Sequence, residues 1–594
     1  LLLLIVDFQR SGGLRELLNA MIENIIVREP SDYEIFRIID DNLAIASINA
    51  KTSNPILRIV EEKDVLIVLD GEIYSGSIKE LLQIFLGLRT LPYGLFNACI
   101  FDRQRRRLFI ISDPYGTKKI FYSFTNGKFI LASRLRAFTA DPTFPRMIDF
   151  QSLVEFLAYG YILGDKTIFT NVKCLDPGTV LAIDLRRGMF TVHGTTNYEL
   201  NLKVSLKPLE NVIDELNSLL RYHVNEQIKD LEKIGLFLSG GIDSRLLLAA
   251  IDKDLLDRVY AFTYCYHEDC PDRVIAEEIA SELDMNWKLY KINPDALRNH
   301  WKKAVTVTDG MIVLHHTHGL YNIYEEISTT IRPDAVLTGY AGEILHGGYI
   351  HRDFLRAKKD EIVHEVLHKI NTIFQFTELP QLLREGYAKY CTFLEPLELN
   401  LKKQFSLLPK TTNLVNKVDY FFMMNRMRKF ISYGLSQIND FFNYRIPLLF
   451  VTGYVFSIDP KYRYSRRLIK TLFIKHYPKL AKYRYTGTGV ALNASRIKEK
   501  FSQALALGLK LISKNRIKLW IRPYIDYNEV YRQQLRDFVE GILFDETTLT
   551  RPYFKADYMS KLVRDFMKGK ENNAEKVGAL LTFELWHRTF IDGK

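Results

Sequence analysis

The stretch Ile234-Gly235-Leu236-Phe237-Leu238-Ser239-Gly240-Gly241-Ile242-Asp243-Ser244 decides how the chain reads. Its first five residues make a compact strand-like run, and a helical pattern begins near Arg245. Two adjacent glycines lie between them. Glycines let backbone N–H groups close around an anion, and the N-terminus of a following helix adds a favourable dipole. Ser239 and Ser244 can donate hydroxyl hydrogen bonds, and Asp243 is placed to hold Mg²⁺ on phosphates. A plain strand–helix turn with a capping Ser or Asp explains fewer of these residues. The loop is read as a phosphate cradle, though not a Walker A loop, whose G-x-x-x-x-G-K-S/T pattern is missing.

Working outward, Asn211 to Leu231 carries apolar residues at helical spacing, and strand and helix signals alternate from the loop to about residue 350. That alternation predicts a parallel α/β sheet. Mostly helical segments follow to Lys594. The first 190 residues or so are β-rich instead: short apolar runs such as Leu66-Ile67-Val68-Leu69 and Leu108-Phe109-Ile110-Ile111 alternate with turns at Asp70-Gly71 and Asn126-Gly127. The basic run Arg103 to Arg107 reads as a solvated hairpin turn rather than a nucleic-acid patch. A linker is expected near Thr195 to Leu209.

With 594 residues the chain is long enough for at least two domains. Its 47% hydrophobic and 25% charged residues exclude a disordered polymer, a collagen and a disulfide-stapled miniprotein. The 81 basic against 70 acidic side chains leave a net +11, which suits ATP, RNA or an acidic surface without choosing among them. Five scattered cysteines without C-x-x-C spacing point to a reducing compartment and away from a zinc ribbon, so a cytoplasmic location is expected. The apolar opening Leu1 to Val6 is too short for a membrane span and lacks a basic n-region; it reads as a buried strand.

The S-G-G-I-D-S loop resembles the pyrophosphate loop of the N-type ATP pyrophosphatases, which split ATP between its α and β phosphates. The segments around it are similar to asparagine synthetase B. Leu69-Asp70-Gly71-Glu72-Ile73-Tyr74, Asp113 to Tyr122 and Ala132 to Phe138 resemble three stretches of that family's N-terminal glutaminase domain, in order. Leu337-Thr338-Gly339-Tyr340-Ala341-Gly342-Glu343-Ile344-Leu345-His346-Gly347-Gly348-Tyr349 parallels its L-S-G-E-G-A-D-E-L-F-G-G-Y. The resemblance implies a glutaminase-like Ntn-type α+β sandwich over 1–195, a parallel-sheet α/β ATP pyrophosphatase domain over 210–500, and a helical C-terminal extension over 501–594. It implies that Leu238, Ser239, Gly240, Gly241, Asp243 and Ser244 cradle ATP phosphates, with Phe262, Thr338 and Gly339 near the nucleotide. Asp243 and Glu343 would bind Mg²⁺, Arg484 would stabilise departing pyrophosphate, and Tyr340 stands where the family uses a glutamate in acceptor activation.

Departures matter as much. No cysteine precedes Cys99, so the glutaminase nucleophile lies upstream of Leu1 or is gone. The family's glutamine-gripping R-L-S-I corresponds to Asn42-Leu43-Ala44-Ile45, and its N-G-E asparagine to Asp70. The front domain is therefore expected to be inactive. Acidic positions of the synthetase site are Tyr340, Ile344, Asn443 and Phe450 here. The expectation is an ATP- and Mg²⁺-dependent ligase that adenylates a carboxylate, aspartate leading, with an amine or free ammonia displacing AMP. An amide ligase or cyclase on another carboxylate is the runner-up, as in β-lactam synthetase and the lasso-peptide cyclases. A tRNA-adenylating enzyme and a non-catalytic nucleotide sensor are the other classes. Neither a membrane nor a nucleic acid is expected as partner; a homodimer is compatible.

Three further features read as structural. His315-His316-Thr317-His318 invites a metal reading, but adjacent histidines converge on one ion with difficulty and no matching acidic motif stands out. They are taken first as structural, next as acceptor-side contacts, and last as ligands. Cys265 and Cys270 are read as buried thiols rather than a redox pair. Tyr420 to Tyr433 is read as a core helix with a basic outer face.

Overall fold

The computed structural model describes residues 1–51, 59–75, 78, 81, 92–194, 204, 207–356, 361–408, 412–512 and 525–593. Most of the expected linker over 195–209 lies outside them.

The front of the chain builds strands β1 (Leu2–Asp7), β2 (Tyr33–Asp40), β3 (Leu43–Ala50), β4 (Ile59–Glu62), β5 (Val65–Ser75) and β6 (Tyr93–Asp102). These are followed by β7 (Arg107–Ser112), β8 (Phe121–Thr125), β9 (Lys128–Ala132), β10 (Lys173–Cys174), β11 (Thr179–Asp184) and β12 (Met189–Gly194). They pair as two six-stranded sheets, β10-β8-β9-β1-β3-β2 and β12-β11-β7-β6-β5-β4. Alternation along β1 explains the sandwich. Leu2, Leu4 and Val6 face Val68, Phe101 and Ile110 of the other sheet, while Leu3 and Ile5 join the core under the helix Leu14–Ile25. Both faces of β1 are buried, as its unbroken apolar run predicts. Arg103 to Arg106 form the β6–β7 hairpin turn, as read.

The back domain is a parallel sheet of β13 (Ile234–Phe237), β14 (Val259–Cys265), β15 (Asn286–Lys291), β16 (Ala335–Leu337) and β17 (Asn443–Arg445), ordered β15-β14-β13-β16-β17. From β13 the chain moves outward to β14 and β15, then returns to place β16 on β13's other side. That reversal makes a crevice at the carboxyl ends of β13 and β16, where such sheets take their ligands.

Two readings need correction here. Tyr420 to Tyr433 is helical, but Met423–Ile431 winds as a π-helix, and Arg428 and Lys429 are buried rather than exposed. The physical reason is the front domain, which covers that face: the Arg428 guanidinium donates to the carbonyls of Gly116 and Leu175. Cys265 and Cys270 form a disulfide, with Cα atoms 6.4 Å apart. The pair joins the end of β14 to the N-cap of the helix Pro271–Glu282, a proximity the five-residue spacing did not reveal.

The domains meet over a buried polar seam. Arg134 grips both carboxylate oxygens of Asp440 at 2.8 and 2.7 Å, and Asp309 accepts from the Leu135 amide at 2.7 Å. Beside it, Phe450 packs against Tyr74, Tyr93 and Tyr115 of the front domain. The C-terminal helix Ala574–Phe590 is buried nearly all round and packs Trp586 against Phe169 of the front domain, ring centroids 5.3 Å apart. No helix among the described residues is long and apolar enough to cross a membrane.

Candidate active site

The loop leaves β13 through Leu238, whose amide bonds the Phe262 carbonyl at 2.9 Å and whose carbonyl accepts from the Thr263 hydroxyl at 2.8 Å. Ser239 and Ser244 face each other, Oγ to Oγ at 3.1 Å, and Ser239 Oγ accepts from the Gly241 amide at 3.1 Å. The Gly240 amide donates to Asp272 Oδ1 at 2.9 Å. Gly240 must be glycine: a Cβ there would stand 2.5 Å from Thr486 Cγ2 and 2.8 Å from Ile275 Cδ1. The same crowding operates across the crevice, where a Cβ on Gly339 would meet Asp243 Cβ at 2.7 Å and one on Gly342 would meet Asp243 Cγ at 2.2 Å. Those bare backbones bring the loop after β16 onto the start of the helix Ile242–Ala250.

Asp243 is the centre of this meeting. Its Oδ1 is buried without a hydrogen-bond partner, and His346 Nε2 stands 3.6 Å from it. Burial raises the Glu343 carboxyl above the ordinary range, and the facing charge of Asp243 raises it further. For His346, burial opposes the charge, but Asp243 and Glu343 outweigh it and raise the imidazole. Two facing carboxylates, one holding an orphaned oxygen, suit a hard cation with oxygen ligands.

The remaining predicted residues divide. Thr338 and Gly339 lie at the end of β16, with the Thr338 amide bonded to the Arg445 carbonyl at 3.0 Å. Tyr340 is buried close to Glu343, and burial lifts its phenol well above the usual range. The Phe262 side chain packs into the sheet against Phe237 and Tyr290, so only its backbone borders the crevice. Arg484 sits at the rim, about a third exposed, with its guanidinium 3.4 Å from Glu278.

Four residues escaped the sequence reading. Arg466 lies over the Tyr485 ring at 5.3 Å, and its charge is felt by His346 and Tyr485 beside Asp243. Asp272 holds the loop amide, and His346 faces Asp243. Arg245, wholly buried, donates to the carbonyls of Arg484 at 2.6 Å, Tyr483 at 3.2 Å and Gly240 at 3.3 Å, tying the loop to the segment carrying Arg484. A Pro-Asp pair opening a helix was the only local signal for Asp272; the others depend on folding.

In the front domain, the place of the family's N-G-E asparagine holds an ion pair. Asp70 Oδ1 is 3.2 Å from Lys118 Nζ, and Ser133 donates to Asp70 Oδ2 at 3.2 Å. Lys118 also reaches Asn439 of the back domain at 2.9 Å. Glu72 pairs with Arg445 across the same seam.

Comparison with known proteins agrees with this two-part build. Residues 215–427 match the asparagine synthase family model, and residues 86–195 match the glutamine amidotransferase domain. The glutamine-hydrolyzing asparagine synthetase 1 of Bacillus subtilis is 21% identical over 535 residues, spanning 84% of this chain and 78% of that protein. Asparagine synthetase 2 of the same organism is 23% identical over 329 residues, spanning 51% of this chain and 41% of its own length. Among solved structures, an NH3-dependent NAD synthetase from Campylobacter jejuni covers 37% of this chain at 17% identity, with a TM-score of 0.20. That overlay carries no weight, and the fold stands on its own strand order. A front sandwich that matches the amidotransferase domain precedes a parallel sheet that matches the synthase domain, and in both parts the chain is asparagine synthetase-like.

Proposed function

We propose that the chain is an ATP-dependent, amide-forming ligase: a substrate carboxylate attacks the α-phosphate of ATP, pyrophosphate leaves, and an amine or ammonia then displaces AMP. The observation that carries this reading is the closed approach of Gly339 and Gly342 onto Asp243, which sets one carboxylate with an orphaned oxygen between the loop and Glu343. Ser239, Gly240, Gly241 and Ser244 would bind the β and γ phosphates, and Thr338 and Gly339 would line the nucleotide's other side. Asp243 and Glu343 would hold Mg²⁺, which when bound neutralises charge on the phosphate oxygens. Arg466 and Arg484 supply positive charge beside the departing pyrophosphate.

Aspartate with free ammonia is the leading substrate pair. Support for ammonia over glutamine comes from the Asp70–Lys118 pair, which stands in place of the N-G-E asparagine of the family's glutaminase, and from Asn42, where the family uses an arginine. A ligase acting on a less polar carboxylate has its own support: Ile344 and Phe450 replace acids of the family and are buried among apolar neighbours. ATP–pyrophosphate exchange measured across aspartate and a panel of other carboxylates separates the two. Exchange with aspartate alone supports the first, and exchange only with another acid supports the second. ATP binding without exchange for any acid sinks the ligase reading.

A further inference from the structure

The histidine run after residue 314 holds more than the sequence suggested. Leu314–Thr317 is a tight 3₁₀ turn, which rotates the His315 and His316 side chains toward the same neighbour. That neighbour is Glu575, in the first turn of the helix Ala574–Phe590 and 259 residues further along the chain than His316. His315 Nε2 lies 3.1 Å from Glu575 Oε1, and His316 Nε2 lies 3.2 Å from Oε2. The three donor groups fall within 4.8 Å of one another. His318 is not among them; its Nδ1 meets the Tyr527 hydroxyl at 2.9 Å instead.

We propose that His315, His316 and Glu575 form a binding site for a divalent transition metal of the zinc type, separate from the nucleotide crevice. Tetrahedral zinc with bonds of about 2.0–2.1 Å spaces neighbouring donor atoms by about 3.3 Å, close to the two histidine–carboxylate separations, and the full set, within 4.8 Å, closes onto an ion by a modest side-chain shift. The surroundings are those of a ligand set. Tyr531 Oη lies 3.0 Å from His315 Nδ1, a partner that would take the ring's N–H on that side once Nε2 binds the metal. The Tyr527 ring stacks on His315 at 4.5 Å and fixes its plane. Lys576, the nearest cation in sequence, is engaged by Glu378 at 2.6 Å and does not compete for Glu575. A cavity of about 310 Å³ opens beside the cluster, lined by His315 and Glu575 together with Asp526, Asn528 and Asn573. Three protein ligands facing a polar cavity leave a fourth position for water or a ligand group. The site would also clamp the C-terminal helix to a turn whose His316 contacts Phe430 edge-on at 5.0 Å, on the π-helix that carries Arg426.

The test uses the full chain, stripped with a chelator and titrated with Zn²⁺ against a competing indicator, then with Co²⁺ as a spectroscopic probe. One zinc per chain is expected, and His316→Ala and Glu575→Gln should each weaken binding by at least about 10–100-fold. Asp243→Asn, at the other site, should leave zinc affinity unchanged. Co²⁺ should give intense tetrahedral absorption without thiolate charge-transfer bands. Less than one zinc in the unsubstituted chain, an octahedral Co²⁺ spectrum, or zinc affinity unmoved by both substitutions would overturn the site and leave a hydrogen-bonded triad. The Co²⁺ spectrum of the unsubstituted chain decides the matter even if a variant fails to fold.

Discussion

At the scale of single residues, Asp243 is defined as much by its neighbours' missing side chains as by its own carboxylate. Gly342→Ala would push a methyl group into that carboxylate at 2.2 Å, so the expected result is loss of exchange on the order of 100-fold while circular dichroism stays native. Asp243→Asn should cost as much or more if Asp243 holds the proposed cation, since several kcal/mol of charge stabilisation would go with it. The two arginines can be ranked: Arg466→Ala is expected to slow exchange at least as much as Arg484→Ala, because Arg466 lies over the Tyr485 ring with its charge acting on His346, whereas Arg484 leans on Glu278 at the rim. A larger loss from Arg484→Ala would reverse that ranking. The loop itself was legible in the sequence because its working groups are contiguous and mostly backbone. Arg466, His346 and Asp272 were not, since their places depend on which strand ends become neighbours.

At the scale of elements, the seam between the domains carries its own chemistry. His223, on the helix Leu209–Glu226, bonds the Tyr93 hydroxyl at 2.7 Å and stacks on Phe450. Burial lowers its pKa to about 4. The folded value is below the unfolded one near 6.5, so between those values only the unfolded chain takes up the proton. The stability His223 contributes is complete above pH 6.5 and drains away as pH falls toward 4, by at most about 3 kcal/mol. Denaturant midpoints for His223→Gln measured over that window should therefore be flatter with pH; an unchanged slope contradicts the assignment. The Arg134–Asp440 pair makes a sharper case. Arg134→Met leaves a buried carboxylate alone and should cost about 3–5 kcal/mol. Sequence patterning found the strands of both domains but misjudged the basic face of Met423–Ile431. An amphipathic pattern shows which side is polar, and here the polar side meets a second domain instead of water.

At the scale of the whole molecule, the last described helix is not an appendage. Val577, Leu580, Leu581, Phe583, Leu585, Trp586 and Phe590 are all buried, at roughly 1.5–3 kcal/mol each. That sum rivals the net stability of a domain, about 5–15 kcal/mol. Removing residues 574–590 should give a chain that is insoluble or cut rapidly by trypsin across both domains. A soluble, protease-resistant product would contradict this placement. The expectation of a helical extension over 501–594 described the secondary structure but not the location, because a helix that is apolar on every side does not reveal which partners surround it.

The same helix sets a timetable for synthesis. Besides helices just before it in sequence, it packs on the helices Phe150–Tyr159 and Trp301–Val307, which leave the ribosome hundreds of residues before it does. A nascent chain that has finished its front sandwich and its parallel sheet still exposes the apolar walls of an empty slot. Domains generally complete themselves as they emerge, whereas this one must wait for a late segment to close it. Contacts so distant in sequence slow the final step and lengthen the interval in which those walls can meet another molecule. Pauses or truncations late in translation should thus yield aggregation rather than a working front half, and chaperone engagement should peak just before residues 574–590 emerge.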